Sequence, residues 1–271
     1  MRRFLLGALL ALTVAGASSQ PGTQPLDLPA ITAPALAARY AANAGDGSGR
    51  QFLALDRAGD GRAVEVVGDL AAADSVIIFV PGTGYGLAQF NDSTAAPGGA
   101  ARALHARAQA LAPGTNVAVI GWLGYDAPEM TDPGVITTLP AAKGAKALRT
   151  LVTALLPKRV ALVCHSYGTV VCGEAAPALP VTDIVALGSP GMGVADAAAL
   201  RTPARVWTAL SGRDDVFRPG VTLGPVGFGA DPNVAAFGAR IVDGGDGRHT
   251  DYLRPGPTLD RITRIALTGR A

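Results

Sequence analysis

Two hydrophobic periods alternate along the chain. Val76-Ile-Ile-Phe-Val80 and Val160-Ala-Leu-Val163 are unbroken apolar runs of strand length. Such runs mark strands covered on both faces, and so a mostly parallel sheet. Strands are expected at Gln51–Asp56, Ala63–Val67, Ser75–Val80, Asn116–Trp122, Arg159–His165, Asp183–Gly188, Arg205–Leu210 and Arg240–Asp243. Helices are expected at Gly99–Leu111, Pro140–Leu156, Tyr167–Ala176, Val194–Arg201 and Thr258–Leu267. The alternation predicts one α/β domain over residues 51–271, with helices on both faces of the sheet. Its two earliest strands suit an antiparallel edge ribbon. Residues 18–50, rich in Ser, Gln, Pro, Thr, Ala and Gly, predict a loose segment with one short helix around Ala33–Asn43.

The first seventeen residues break this pattern. Arg2-Arg3 form a basic start, Phe4 to Val14 an apolar stretch, and Ala15-Gly-Ala17 a small-residue cleavage site. That is the layout of an export signal, and the apolar stretch is short for a membrane span. A secreted or cell-envelope location is expected. Lys and Arg total 23 against 21 Asp and Glu, for a formal charge of +2 that Arg2 and Arg3 supply. A near-neutral mature chain gives no reason to expect nucleic acid as a partner, or strong membrane association after the signal is removed. Nothing in the pattern fixes an oligomeric state.

The chemistry concentrates at Cys164-His165-Ser166-Tyr167-Gly168, between an expected strand and an expected helix. A serine at the apex of such a turn projects its hydroxyl above the sheet, beside backbone N–H groups. Serine then needs a base, and the base an orienting acid. Of the three histidines, His165 adjoins Ser166 on a strand and so points to the opposite face. His105 sits mid-helix beside Arg102 and Arg107, where a solvated face is expected. His249 lies in the loop after the last strand and is the candidate base. The strand Arg205–Leu210 runs into Ser211-Gly-Arg-Asp-Asp-Val216, which offers Asp214, favoured by Val216 two residues on, with Asp215 as the alternative. The order serine, aspartate, histidine is that of α/β-hydrolases. Two oxyanion donors are expected, the N–H of Tyr167 and that of Thr83 in Pro81-Gly-Thr-Gly-Tyr-Gly86. That loop is no dinucleotide fingerprint, because Leu87 stands where the third glycine belongs.

The two cysteines, Cys164 and Cys172, invite a disulfide in an exported chain. Gly168 and Cys172 lie one helical turn apart. If that face meets the strand, a bond would tie the helix to the strand before it; two small buried thiols are the rival arrangement. Three scattered histidines and a possible disulfide leave no ligand set at metal spacing, so neither metal nor cofactor is expected.

Taken together, the motifs resemble an actinobacterial α/β-hydrolase family of unknown function, over roughly residues 50–255. The resemblance rests on Val80-Pro-Gly-Thr-Gly84, Trp122-Leu-Gly-Tyr-Asp-Ala-Pro128, His165-Ser-Tyr-Gly168, Gly188-Ser-Pro-Gly191, the run from Gly229-Ala-Asp-Pro to Phe237-Gly-Ala-Arg240, and His249-Thr-Asp-Tyr252. It implies the α/β-hydrolase fold and a serine-hydrolase triad at Ser166, Asp214 and His249. It supplies no substrate, and Cys164 departs from the glycine usual at that position.

Only Ser189 to Pro203 separates two consecutive strands after the nucleophile helix, which leaves no room for a separate cap domain. Loops are expected to roof the site instead, with Tyr85, Tyr125, Met192 and Phe217 as candidate substrate contacts. Few charges in those loops argue against a strongly ionic substrate, and a small-molecule or lipid ester is the default expectation. The expected activity is ester hydrolysis through an acyl-enzyme. The alternatives are a catalytically silent binding protein on the same fold and an acyltransferase using the same triad.

Overall fold

The structure is a computed structural model and describes residues 26–44, 49–215 and 226–271. The expected export signal and Phe217 lie outside the described residues. Among the described residues, eight strands form one sheet in the order β1-β2-β4-β3-β5-β6-β7-β8. They are β1 (Gln51–Asp56), β2 (Arg62–Val67), β3 (Ser75–Val80), β4 (Val117–Leu123), β5 (Arg159–His165), β6 (Asp183–Leu187), β7 (Arg205–Leu210) and β8 (Arg240–Asp243). As expected for the edge ribbon, β1 pairs antiparallel with β2, and β2 pairs antiparallel with β4. From β4 to β8 every pairing is parallel.

Among the described residues the five α-helices are α1 (Ala33–Asn43), α2 (Pro97–Leu111), α3 (Leu139–Ala154), α4 (Gly168–Ala175) and α5 (Pro257–Thr268). A proline sits in the first turn of α1, α2, α3 and α5, where its missing N–H costs no helical bond. Strand alternation then sorts the core. Val76, Ile78 and Val80 of β3 join the apolar cluster under α1, α3 and α4, while Ile77 and Phe79 join the one under α2 and α5. The same alternation in β5 sends Leu162 and Cys164 toward α4, and Ala161 and Val163 toward α2 and α5. This division decides where the flanking residues of Ser166 point.

The end of the sheet away from Ser166 is tied by the fully buried Asp183. It accepts hydrogen bonds from Arg159 (3.0 Å), Arg205 (2.7 Å) and Trp207 Nε1 (3.0 Å), joining β5, β6 and β7. Against burial, which pushes it up, hydrogen bonds from Arg205, Trp207 and Thr182 and the charge of Arg205 hold the Asp183 carboxyl below the usual carboxylate range.

Two expectations need correction. The helix foreseen at Val194–Arg201 is a single 3-10 turn at Ala198–Leu200. Its main chain bonds outward instead: Ala230 N–H to Val194 O (2.9 Å) and Ala197 N–H to Phe237 O (2.7 Å), while Asp196 caps Ala199 N–H (2.8 Å). Those partners compete directly with helical pairing. His105, expected on a solvated face, is half-buried against Gly68 and bonded to the Val117 carbonyl; burial pushes its pKa down. No separate cap domain stands between β6 and β7.

Candidate active site

Ser166 follows β5 directly and takes φ +54°, a left-handed conformation that a residue with a Cβ adopts at a cost of about 1–2 kcal/mol. The surroundings leave it little choice. Ser166 N–H bonds to Leu187 O (2.9 Å), and Ser166 O accepts from Thr169 N–H (2.9 Å) and Thr169 Oγ1 (2.7 Å). Thr169 Oγ1 also lies 2.7 Å from Ser189 Oγ and 2.9 Å from Gly191 O, all buried. The turn and the end of β6 are therefore one hydrogen-bonded unit.

Close packing demands glycine on two sides of this turn. A Cβ at Gly168 would stand 2.4 Å from Pro81 O and 2.5 Å from Val80 O. A Cβ at Gly82 would stand 2.8 Å from Ser166 Cβ and 3.2 Å from its Oγ. The glycine-rich loop after β3 thus lies directly against the serine. The position two before the serine, by contrast, tolerates cysteine: Cys164 is fully buried toward α4 and forms a disulfide with Cys172, at a Cα separation of 6.5 Å. That bond ties α4 to β5.

His249 Nδ1 is 3.0 Å from both Asp214 oxygens, and the Asp214 carboxylate is shut off from solvent. Asp215 is exposed, so Asp214 is the one that meets the imidazole. Asp214 also accepts from Tyr252 OH (2.5 Å), whose oxygen in turn accepts Ser211 N–H (3.0 Å). Gly188, at the end of β6 with φ +52°, lies against the pair; a Cβ there would be 2.5 Å from Asp214 Oδ2 and 3.0 Å from His249 Nδ1. Ser166 N–H bonds the residue just before it, which brings serine, aspartate and histidine to the same end of the sheet.

His165, the last residue of β5, reaches the other partner. Its Nε2 lies 2.7 Å from the His249 carbonyl, and the two rings are 4.6 Å apart. Burial, with His249 beside it, pushes His165 down to about 4. It is therefore neutral near neutral pH, and because a carbonyl can only accept, its proton sits on Nε2.

The remaining candidates scatter. Thr83 Oγ1 donates to the Met130 sulfur (3.1 Å), and Gly84 N–H bonds Pro128 O (3.2 Å), so the 128–130 segment backs the glycine loop. Tyr167 adjoins the serine, donates its hydroxyl to Thr137 O (2.6 Å) and accepts Ala141 N–H (3.2 Å); burial raises its pKa. Tyr85 packs on the small cluster of Phe52, Phe90 and Leu123. Met192 is fully buried in the core under α3 and α4, which is a packing position and not a solvent-facing wall. Tyr125 is likewise buried, stacked on Trp122 at 5.6 Å. Its ring borders a cleft of about 550 Å³ beside β2, β4 and α3, which Ser166, Asp214 and His249 do not line. Among the described residues, no group of three His, Cys, Asp or Glu is placed to hold a metal ion. The roles of Tyr252, Gly188 and His165 escaped sequence reasoning, although the runs Gly188-Ser-Pro-Gly191 and His249-Thr-Asp-Tyr252 stood out as motifs.

An alpha/beta hydrolase family model matches residues 56–225. Fold, elbow and match agree, and the chain belongs to that family. Two uncharacterized proteins of Mycobacterium tuberculosis, from strains CDC 1551 and H37Rv, are each 34% identical to it over 157 residues. The match takes in 52% of this chain and 23% of each relative, so the chain spans less than a quarter of their length. Among solved structures, it is similar to a Xanthomonas campestris alpha/beta serine hydrolase without lid: 17% identity, 81% of this chain, 93% of that one, TM-score 0.48. It is also similar to a putative thioesterase from Silicibacter, with 15% identity, 87% of this chain, 94% of that one and TM-score 0.48.

Proposed function

We propose that this chain is an exported serine hydrolase that cleaves carboxylic esters through an acyl-enzyme. The observation that carries this is the left-handed Ser166 at the same sheet end as the His249–Asp214 pair. With Nδ1 held by Asp214, His249 presents Nε2 as the proton acceptor for the Ser166 hydroxyl. Ser166 Oγ attacks the ester carbonyl as its proton passes to His249. The N–H groups of Thr83 and Tyr167 receive the oxyanion, and Asp214 stabilises the imidazolium without taking its proton. Collapse of the tetrahedral adduct expels the alcohol, protonated by His249. Water, deprotonated by the same histidine, then attacks the acyl-serine, and His249 returns the proton to the departing Ser166 Oγ as the carboxylic acid is released.

Export is supported by the residue pattern at positions 1–17 and by the Cys164–Cys172 disulfide, a bond that persists in oxidising compartments. No helix among the described residues is long and apolar enough to cross a membrane. The test is labelling of the purified protein with a fluorophosphonate, together with hydrolysis of a soluble p-nitrophenyl ester. Wild type is expected to be labelled and active, and Ser166→Ala to be neither. A wild type that resists the label, or a Ser166→Ala variant that still takes it, overturns the reading.

A further inference from the structure

Sulfur is scarce in this chain. Both cysteines are joined in the Cys164–Cys172 bond, and the three methionines are Met1, Met130 and Met192. Met1 lies outside the described residues, and Met192 is fully buried in the core under α3 and α4. Met130 is 71% exposed, which makes it the accessible sulfide among the described residues. Its sulfur accepts a hydrogen bond from Thr83 Oγ1 (3.1 Å). Thr83 carries the one side chain of Gly82-Thr83-Gly84, between two fixed neighbours. On one side Gly82 packs on the serine, where a Cβ would stand 2.8 Å from Ser166 Cβ. On the other, Gly84 N–H bonds Pro128 O (3.2 Å), two residues before Met130. A change at the Met130 sulfur therefore acts on the residue next to the one that touches Ser166.

We propose that Met130 is an oxidation site: a peroxide converts its sulfide to the sulfoxide, which displaces Thr83 and slows hydrolysis at Ser166. The effect on rate rests on the ester-hydrolase reading above and adds a regulation to that site. In the reaction, a lone pair on Met130 Sδ attacks one oxygen of hydrogen peroxide. The O–O bond breaks, that oxygen stays on sulfur, and its proton passes to the other oxygen, which leaves as water. Sulfur is oxidised to the sulfoxide and the peroxide is reduced. A thioether is a weak acceptor, whereas the sulfoxide is polar and presents an oxygen. At 3.1 Å the sulfur and the Thr83 hydroxyl are already in contact, with no room for an atom between them. Directed at Thr83, the new oxygen pushes the hydroxyl back. Directed aside, it draws the hydroxyl after it as the stronger acceptor. Either way Thr83 moves, and its N–H is the group that receives the oxyanion in the hydrolase reading. A displacement of about 1 Å at such a donor costs on the order of a hundredfold in rate.

The experiment treats the purified full chain with hydrogen peroxide. Peptide mass spectrometry is expected to find an added oxygen on Met130 and none on Met192. In protein carrying isotope-labelled threonine, the Thr83 amide resonance, identified by its loss in Thr83→Ser, is expected to move on oxidation. It should do so in wild type and in Ser166→Ala alike. The kcat of wild type for a soluble p-nitrophenyl ester is expected to fall about tenfold or more. Met130→Leu, treated in the same way, is expected to keep its own Thr83 resonance and its own rate. Thr83→Val is expected to lose a smaller fraction of its rate than wild type, because the hydroxyl that transmits the change is gone. Met192 oxidised as readily as Met130, an unmoved Thr83 amide, or an unchanged kcat with Met130 fully oxidised overturns the proposal. So does a rate loss in Met130→Leu or Thr83→Val as large as that of wild type. An untreated wild type that does not turn over the ester sinks the hydrolase reading instead, and the Thr83 resonance still decides whether oxidation of Met130 displaces Thr83.

Discussion

The His165 imidazole donates its Nε2–H to the main-chain carbonyl of His249 across 2.7 Å, so the residue before the candidate nucleophile holds the loop that carries the candidate base. His165 closes β5 and packs on the rings of His249 and Tyr252, whereas Ser166, in the left-handed turn that follows, lies against Gly82. Removing that donor while keeping a ring, in His165→Phe, is expected to lower kcat about tenfold, the equivalent of one net hydrogen bond. KM is expected to stay put, since no contact with the ester is removed. His165→Gln, which restores an N–H donor, is expected to recover part of the loss. A purely structural role would instead lower the melting temperature of both variants and leave kcat alone.

His165 also sets a pH dependence of stability. Its pKa falls from 6.5 to about 4 on folding, so the unfolded chain binds its proton first as pH drops. Stability from this group is complete above the upper value and is lost as pH falls through the window toward the lower one. The loss is on the order of 3 kcal/mol. Melting temperatures of wild type and His165→Phe, measured from neutral pH downward, are expected to converge across that window. Parallel curves would show that the imidazole does not titrate this way.

Tyr252 joins Ser211 N–H to the Asp214 carboxylate through one buried oxygen. Tyr252→Phe leaves the ring in the core and strips the acid of a charge-assisted donor. A stability loss of about 1–3 kcal/mol is expected from the unsatisfied amide and the weakened acid. Chemical denaturation measures it, and labelling by a fluorophosphonate is expected to slow without stopping.

Gly188 gives the sharpest steric prediction. In Gly188→Ala the new methyl carbon would stand 2.5 Å from Asp214 Oδ2, at a φ of +52° that alanine resists. The His249–Asp214 pair must shift, and a misplacement of that kind costs about a hundredfold in rate. The kcat for a soluble ester should fall that far while the circular dichroism spectrum stays unchanged.

Much of this was legible in the sequence. The unbroken apolar runs of β3 and β5 declared a doubly covered sheet, and the order of Ser166, Asp214 and His249 followed from where strands end. Choosing Asp214 over Asp215 rested on the apolar residue two places on, and the structure pairs Asp214 with His249. The stretch from Val194 to Arg201 was misread because its alanines favour a helix, while the partners that win its N–H and C=O groups come from residues 228–237. His105 was misread for a similar reason: helical spacing gives a face, but not that Gly68 leaves a hollow for the ring. Met192 and Tyr125 show the same limit. An apolar residue in a loop reads alike whether it lines a pocket or fills the core.

The Cys164–Cys172 bond closes a covalent ring, eight positions apart in sequence, around the left-handed serine. A chain that loses its sheet but keeps this bond still holds Ser166 within a short closed loop, which limits the conformations open to the turn. The denatured ensemble inherits a constrained turn at its most chemically specialised point. In an oxidised chain that unfolds and refolds, this stretch is confined by covalent bonds before any strand has paired.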